Sequence, residues 1–147
     1  MDKLILFTPI LTGFLIGAIC KVDKSKLRDS KIRPPGWVFS IVWTILYLII
    51  GYVWMETRRR NRVLSDFLFT MLTIALSVWL IVYNCLSSKV GGLYVIVISL
   101  AIALLSVIFS YSVNPMFGIL LMALPTWLML ATLLNLEEVL YKVEKYS

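Results

Sequence analysis

The feature that most constrains the fold is an uncharged apolar run at residues 36–55, which follows the pair Pro34-Pro35. A transmembrane helix needs about 20 consecutive apolar residues, and this run has that length. Proline is tolerated in a first helical turn and disfavours helix in the residue before it, so the pair marks where the helix begins. The segment also carries three tryptophans and two tyrosines, more aromatic surface than a plain membrane anchor needs. We therefore predict a membrane helix that contributes aromatic side chains to a site or to the core.

The composition places much of the surface in lipid. Hydrophobic residues make up 61% of the 147 residues and charged residues 15%, with a mean hydropathy of +0.93. A soluble domain of this size could not cover so much apolar surface with so little charge. Ten of the 14 lysines and arginines fall in residues 21–33 and 58–62, between apolar runs, where basic side chains typically meet anionic headgroups. The composition predicts a multi-pass integral membrane protein that does not bind nucleic acid.

Five apolar runs separated by short polar joints organise the chain. Only helices or closed barrels satisfy backbone polar groups in hydrocarbon, and runs of this length are helices. The sequence thus predicts an all-α integral membrane protein, a five-transmembrane-helix bundle that forms a single domain over residues 1–147. The predicted helices occupy residues 4–19, 36–55, 63–86, 93–111 and 116–140.

Groups that carry acid–base or metal chemistry are scarce. The chain has no histidine, and no nucleophile–base pair or metal-ligand set is recognisable, so neither a catalytic residue of that kind nor a metal site is expected. Residues 67–88 and 90–136 contain no Asp, Glu, Lys or Arg, which argues against a pump or an ion-coupled transporter. Cys20 and Cys85 fall at helix ends on one membrane face, where we expect two buried thiols rather than a disulfide.

Aromatic residues on the second predicted helix share one face. A 4-3-4 helical spacing places on this face Trp43, Tyr47, Ile50 and Trp54. Tryptophans near the two ends of this helix, Trp37 and Trp54, fit the aromatic belts found at membrane interfaces. Trp43 and Tyr47 lie deeper, as do the mid-span indoles Trp79 and Trp127. The deep rings indicate either a cage for a flat ligand or ordinary core packing.

Two further patterns allow more than one interpretation. Gly13 and Gly17 form a GxxxG pattern, which permits close helix approach either between two protomers or within one bundle. Residues 136–145 form a charged amphipathic tail, which includes Glu137 and Glu138. The tail also fits a loose pattern proposed for sterol contact.

Two motifs resemble the translocator protein family, also called TspO or tryptophan-rich sensory protein. The first is Pro34-Pro-Gly-Trp-Val-Phe-x-x-Val-Trp-Thr-Ile-Leu-Tyr47, followed by Gly51-Tyr52. The second is Trp127-x-x-x-Ala131-Thr-x-Leu134-Asn135, which matches the family's fifth-helix motif in residues and spacing. Polar positions of the family differ, because this chain has apolar residues at Leu72, Leu76, Ala123 and Leu124. The differences predict a drier pocket with fewer hydrogen-bonding groups.

The resemblance implies a membrane receptor or carrier that binds porphyrins such as protoporphyrin IX or heme, and in some members sterols. It implies no cofactor, an association with the lipid bilayer and commonly a homodimer. Loop 20–35 would act as a lid, with its basic residues near the propionates of a porphyrin. The residues implied to form the ligand site are Trp37, Trp43, Tyr47, Trp79, Trp127, Ala131, Leu134 and Asn135.

Two alternatives stay open. Some members of the family are reported to promote light-dependent porphyrin breakdown, for which Trp43 and Trp127 would be the reactive residues. A non-catalytic membrane scaffold would instead use the face that carries Gly13 and Gly17. Fold alone does not choose among a carrier, an enzyme and a scaffold.

Overall fold

The computed structural model describes residues 2–19, 36–86 and 88–146, and these residues contain no strand. The predicted lid at 20–35, with Cys20 and the Pro34-Pro35 pair, lies outside the described residues. A π-helical turn, Ile81–Cys85, continues α3. The helices are α1 (Asp2–Ile19), α2 (Gly36–Arg58), α3 (Arg62–Leu80), α4 (Lys89–Val113), α5 (Pro115–Leu121) and α6 (Ala123–Tyr146).

Four helical stretches are long and apolar enough to cross a membrane. They are Trp37–Arg58, Arg62–Cys85, Lys89–Val113 and Pro115–Tyr141. The first of the five predicted spans is present as a shorter apolar helix, Lys3–Ile19. Large apolar side chains face outward on every helix, for example Leu11, Ile98 and Met129. Such a surface is stable in hydrocarbon and costly in water, so the predicted all-α, multi-pass membrane fold is confirmed.

The buried face of α4 consists largely of small residues. Gly92, Ser99, Ala103, Ser106 and Ser110 are buried along it. The Ser99 and Ser106 hydroxyls donate to carbonyls four residues earlier in the same helix, at 2.8 and 2.9 Å. Small side chains with internally satisfied hydroxyls let helix backbones approach closely in lipid, where helix association depends on packing. This face brings α4 against α3 and α6.

The fourth helix begins four residues before the predicted start at residue 93. Ser88 caps it, because its hydroxyl accepts a hydrogen bond from the Gly91 amide at 3.1 Å. Gly91 and Gly92 therefore lie inside the helix rather than in a break. A serine cap stabilises a helix by about 1 kcal/mol, which offsets much of the cost of an internal glycine.

The fifth predicted span is divided at Met122 into α5 and α6. Asn114 caps α5 by accepting from the Met116 amide at 3.0 Å, with Pro115 in the first turn. Pro125 has no amide hydrogen and cannot donate to the carbonyl one turn earlier, which interrupts the helix at this point. The sequence showed Pro125, but the predicted helix ran through it.

The joint between α2 and α3 is a polar cluster. The Trp54 indole donates to Asp66 Oδ1 at 2.9 Å, and Arg58 Nε lies 2.9 Å from the same oxygen. The Thr57 and Ser65 hydroxyls are 2.9 Å apart and buried. Trp54 is only 7% exposed, so its predicted place in an interface belt is wrong. The carboxylate of the following helix satisfies its indole inside the protein.

Cys85, at the end of the π-helical turn, is disulfide-bonded. The expectation of separate buried thiols is therefore wrong for this residue. The sequence contains one other cysteine, Cys20, outside the described residues. In the stretch 81–85, the chain completes its turn with a hydrogen bond from the Leu86 amide to the Ile81 carbonyl, at 3.0 Å.

Candidate functional site

Three of the predicted site residues come together between α2 and α3. The ring centroids of Trp43 and Tyr47 are 5.5 Å apart, and those of Trp43 and Trp79 are 5.9 Å apart. Tyr47 and Trp79 are buried, and Trp43 is half-buried. Their separations lie in the range of favourable aromatic pairs, each of which contributes about 0.5–1.5 kcal/mol beyond area burial.

A cavity of about 230 Å³ lies beside these rings, and we name it the inner cavity. Helices α1, α2 and α3, with the π-helical turn, supply its walls. Asn84 is a polar side chain at the α3 end of the cavity. The full lining comprises Gly13, Phe14, Gly17, Phe39, Ser40, Trp43, Thr44, Tyr47, Leu80 and Asn84.

The two glycines of the GxxxG pattern have different surroundings. A methyl group on Gly13 would collide with the Tyr47 ring, so Gly13 lets α1 pack against α2. A methyl group on Gly17 would meet no atom within 4 Å, because Gly17 borders the inner cavity. In this chain the close approach at Gly13 is therefore made within the bundle. Gly51 makes a second such approach, against the backbone carbonyl of Leu6.

Trp127 lies at a different space from Trp43. A cavity of about 540 Å³ between α2 and the α5–α6 break is bordered by Trp127, and we name it the lateral groove. Its rim residues Ile45 and Met122 are 51% and 44% exposed, so the groove opens toward the surrounding lipid. The other lining residues are Val42, Leu46, Ala123, Thr126 and Leu130.

The indole nitrogen of Trp127 is a buried donor without an acceptor. Its Nε1 has no hydrogen-bond partner among residues 2–19, 36–86 and 88–146. An unpaired buried donor costs about 1–3 kcal/mol. An acceptor group brought against this nitrogen would relieve that cost.

Phe39 and Trp127 lie between the two spaces. Phe39 borders the inner cavity, and its ring meets the Trp127 indole edge to face, with centroids 5.3 Å apart. The predicted residues therefore surround two adjacent spaces with an aromatic partition rather than one continuous hollow.

Trp79 and the remaining predicted residues are not among the lining residues of either space. Ala131 and Leu134 are core residues, 6% and 4% exposed. Trp37 is 67% exposed and faces outward, as an interface-belt residue would. Asn135 is buried and joins helices, because its Nδ2 donates to the Lys89 carbonyl at 2.7 Å.

A buried polar cluster beneath the aromatic rings was not predicted. The Tyr83 hydroxyl donates to Glu138 Oε1 at 2.6 Å, and Lys89 Nζ lies 3.2 Å from Glu138 Oε2. Glu138 is 6% exposed, although the sequence placed it in a charged tail. One signal could have found it: Asn135 and Glu138 are three residues apart and so share a helix face.

A family model described as the TspO/MBR family matches residues 5–140, nearly the whole chain. No curated protein matches the chain.

Proposed function

Because this chain belongs to the TspO/MBR family, we propose that it is a membrane receptor or carrier that binds porphyrins and related tetrapyrroles, with sterols as a second ligand class. Its helices associate with the lipid bilayer, so an apolar guest reaches it by diffusing through the membrane. The single observation that carries this proposal is the pair of adjacent cavities with deep indoles at both.

Cavity size indicates how a large guest would fit. Ligand pockets typically measure about 300–1,000 Å³, so the inner cavity alone is small and the lateral groove falls within the range. A tetrapyrrole would therefore occupy the groove, or extend into the inner cavity after Phe39 and Trp127 move apart. Trp127 Nε1 would then donate to an acceptor on the guest, and Trp43 would stack on its far edge.

The apolar walls favour a guest with few polar groups in its centre. The lateral groove has Val42, Leu46 and Leu130 on its sides, and among its described lining residues Thr126 is the one with a hydroxyl group. The Thr126 hydroxyl already donates to the Met122 carbonyl at 2.9 Å. Recognition of the central part of a guest would thus rest on shape, stacking and the Trp127 donor.

Titration of tryptophan fluorescence with protoporphyrin IX, heme and cholesterol tests this function. We expect saturable quenching by the porphyrins in the wild-type protein. Trp127→Phe should weaken binding because it removes the donor and keeps an aromatic ring. Trp37→Phe is the matched control, since it removes an outward-facing indole. Equal affinities for wild type and Trp127→Phe would contradict the assignment of the groove.

Light-dependent breakdown of a bound porphyrin is a second candidate function. Trp43 and Trp127 would be the reactive residues, and the observation that favours this is that each borders one of the two spaces. Illumination of the purified protein with protoporphyrin IX should then bleach the Soret band faster than in empty detergent micelles. Bleaching equal to that of the micelle control would remove this candidate.

A scaffold that dimerises through Gly13 and Gly17 has less support. Gly13 already packs under Tyr47 inside the bundle, which leaves Gly17 as the glycine with free space. A homodimer stays a proposal, tested by the mass of the detergent-solubilised protein in light scattering. Gly17→Leu should separate the protomers if that face is the interface.

A further inference from the structure

A row of aromatic rings leads from the inner cavity to the end of the bundle. Trp43 borders the cavity, and its ring centroid lies 5.9 Å from that of Trp79. The Trp79 ring in turn stacks on Tyr83, with centroids 5.2 Å apart and planes inclined by 28°. Rings at these separations are in near contact, which is the arrangement that permits an electron to pass from one to the next.

The far end of this row has an acceptor for a proton. The Tyr83 hydroxyl donates to Glu138 Oε1 across 2.6 Å. This is the short oxygen–oxygen distance of a charge-assisted hydrogen bond. A phenol that loses an electron becomes strongly acidic, and here its proton would have only this one bond to cross.

Lys89 makes a positive charge on the Tyr83 ring unfavourable. Its Nζ lies 3.6 Å from the centroid of that ring and 3.2 Å from Glu138 Oε2. A fixed cation over the ring repels a second positive charge, because both occupy a site partly withdrawn from water. Oxidation of Tyr83 would therefore be coupled to release of its proton to Glu138.

Three helices are shaped to hold this arrangement. Tyr83 lies in the π-helical turn, a feature that occurs frequently at functional sites. A methyl group on Gly92 would lie 3.3 Å from the Tyr83 ring and 3.0 Å from Asn135 Oδ1, so glycine leaves room for both. Packing alone does not require buried charges here, since apolar residues often replace a buried ion pair without loss of stability.

We propose that Trp43, Trp79 and Tyr83 form an electron relay, with Glu138 as the proton acceptor. The oxidant is a one-electron-oxidised aromatic guest that extends into the inner cavity as far as Trp43, such as the radical cation that an excited tetrapyrrole leaves after it gives an electron to dioxygen. The guest takes one electron from Trp43. Trp79 then reduces the oxidised Trp43, and Tyr83 reduces the oxidised Trp79. Tyr83 loses one electron and its hydroxyl proton to become a neutral phenoxyl radical, and the Glu138 carboxylate becomes a carboxylic acid.

This relay would protect the cavity. The guest returns to its original state, and the oxidising equivalent moves from the bundle interior to Tyr83, which is partly exposed at the end of the bundle. A water-soluble one-electron donor could then reduce the phenoxyl radical, and Glu138 would return the proton. The relay depends on the proposed function only for the identity of the oxidant.

Pulse radiolysis tests the relay without any guest. Azide radicals oxidise tryptophan selectively, and the protein in detergent micelles carries the substitution Trp37→Phe to remove the most exposed indole. We expect the tryptophanyl radical absorbance to convert into tyrosyl radical absorbance. Tyr83→Phe and Trp79→Phe should each abolish this conversion, and Glu138→Gln should slow it and remove its solvent deuterium effect.

Tyr111→Phe is the matched control. Tyr111 is 55% exposed at the other end of α4, and its loss should leave the conversion unchanged. Conversion that persists in Tyr83→Phe, is lost in Tyr111→Phe or never occurs in the parent protein would overturn the relay. Circular dichroism establishes that each variant is folded, and Trp79→Phe keeps the Tyr83–Glu138 pair intact. Porphyrin titration of the same samples tests the proposed function separately. The relay and porphyrin binding can therefore be contradicted independently of each other.

Discussion

The rings of Phe39 and Trp127 meet edge to face, with centroids 5.3 Å apart and planes inclined by 68°. This contact joins α2 to α6 and forms the partition between the inner cavity and the lateral groove. A large flat guest can use both spaces only if the two rings separate. The pair is therefore the first place at which ligand size should be tested.

Phe39→Ala should increase affinity for protoporphyrin IX by removing the partition. The cost in stability should be about 3 kcal/mol or less, since Phe39 is only partly buried and the remaining space is already a cavity. Fluorescence titration measures affinity, and thermal unfolding measures stability. Phe67→Ala, on the lipid-facing side of α3, is the matched control. A loss of affinity in Phe39→Ala beyond that of the control would show that the ring binds the guest rather than excludes it.

Leucine substitutions at the two glycines of α1 should affect different properties, stability at Gly13 and porphyrin affinity at Gly17. Gly13→Leu forces a side chain into the Tyr47 ring and should destabilise the bundle by about 1–3 kcal/mol. Gly17→Leu projects into the inner cavity and should leave the unfolding temperature nearly unchanged while it reduces porphyrin affinity. If Gly17→Leu binds porphyrin as well as the wild type does, the inner cavity is not part of the site.

Replacement of one member of the Lys89–Glu138 pair should lower the stability of the protein more than replacement of both. Glu138→Leu leaves the Lys89 ammonium, 13% exposed, without its carboxylate and should destabilise by about 3 kcal/mol. The double variant Lys89→Met/Glu138→Leu should recover most of that loss. The single variant Lys89→Met completes the comparison. Unfolding in mixed micelles measures these differences, and additive losses in the double variant would contradict a coupled pair.

Asp66→Asn should weaken the joint between α2 and α3 by about 1 kcal/mol, a value reduced for solvent screening because Asp66 is 34% exposed. The amide can still accept from the Trp54 indole but loses the charge that faces Arg58. Glu56→Gln is the comparison, since Glu56 lies 3.9 Å from the exposed Arg59 and should contribute almost nothing. Equal stabilities of the two variants would mean that the charge of Asp66 facing Arg58 adds little to the stability of the joint.

The length of the apolar runs predicted the membrane helices, and helical spacing predicted the inner face of α2, because both are local properties of the sequence. Tyr47 and Ile50 are buried along that face, as their spacing indicates. The burial of Trp54 was not predicted, because the acceptor of its indole, Asp66, lies across a turn on the next helix. No local pattern specifies which polar side chains will meet after two helices pack.

The site was predicted in part for the same reason. Trp43, Tyr47 and Trp79 do meet, whereas Trp127 contacts Phe39 and borders a second space. Glu138 was overlooked because charge near the end of a span normally indicates solvent, and here Tyr83 and Lys89 cover it. The π-helical turn that brings Tyr83 there adds one residue to a helical turn, which hydrophobic periodicity does not resolve.

The interruption at Met122 bears on how guests arrive. It lies where Pro125, which has no amide hydrogen, leaves the helix without one backbone hydrogen bond. Met122 and Ala123 border the lateral groove there. A molecule dissolved among the acyl chains would meet this opening before any aqueous path. If the groove is the port of entry, loading should scale with the guest's concentration in the bilayer, and partition into the membrane would set the rate of uptake.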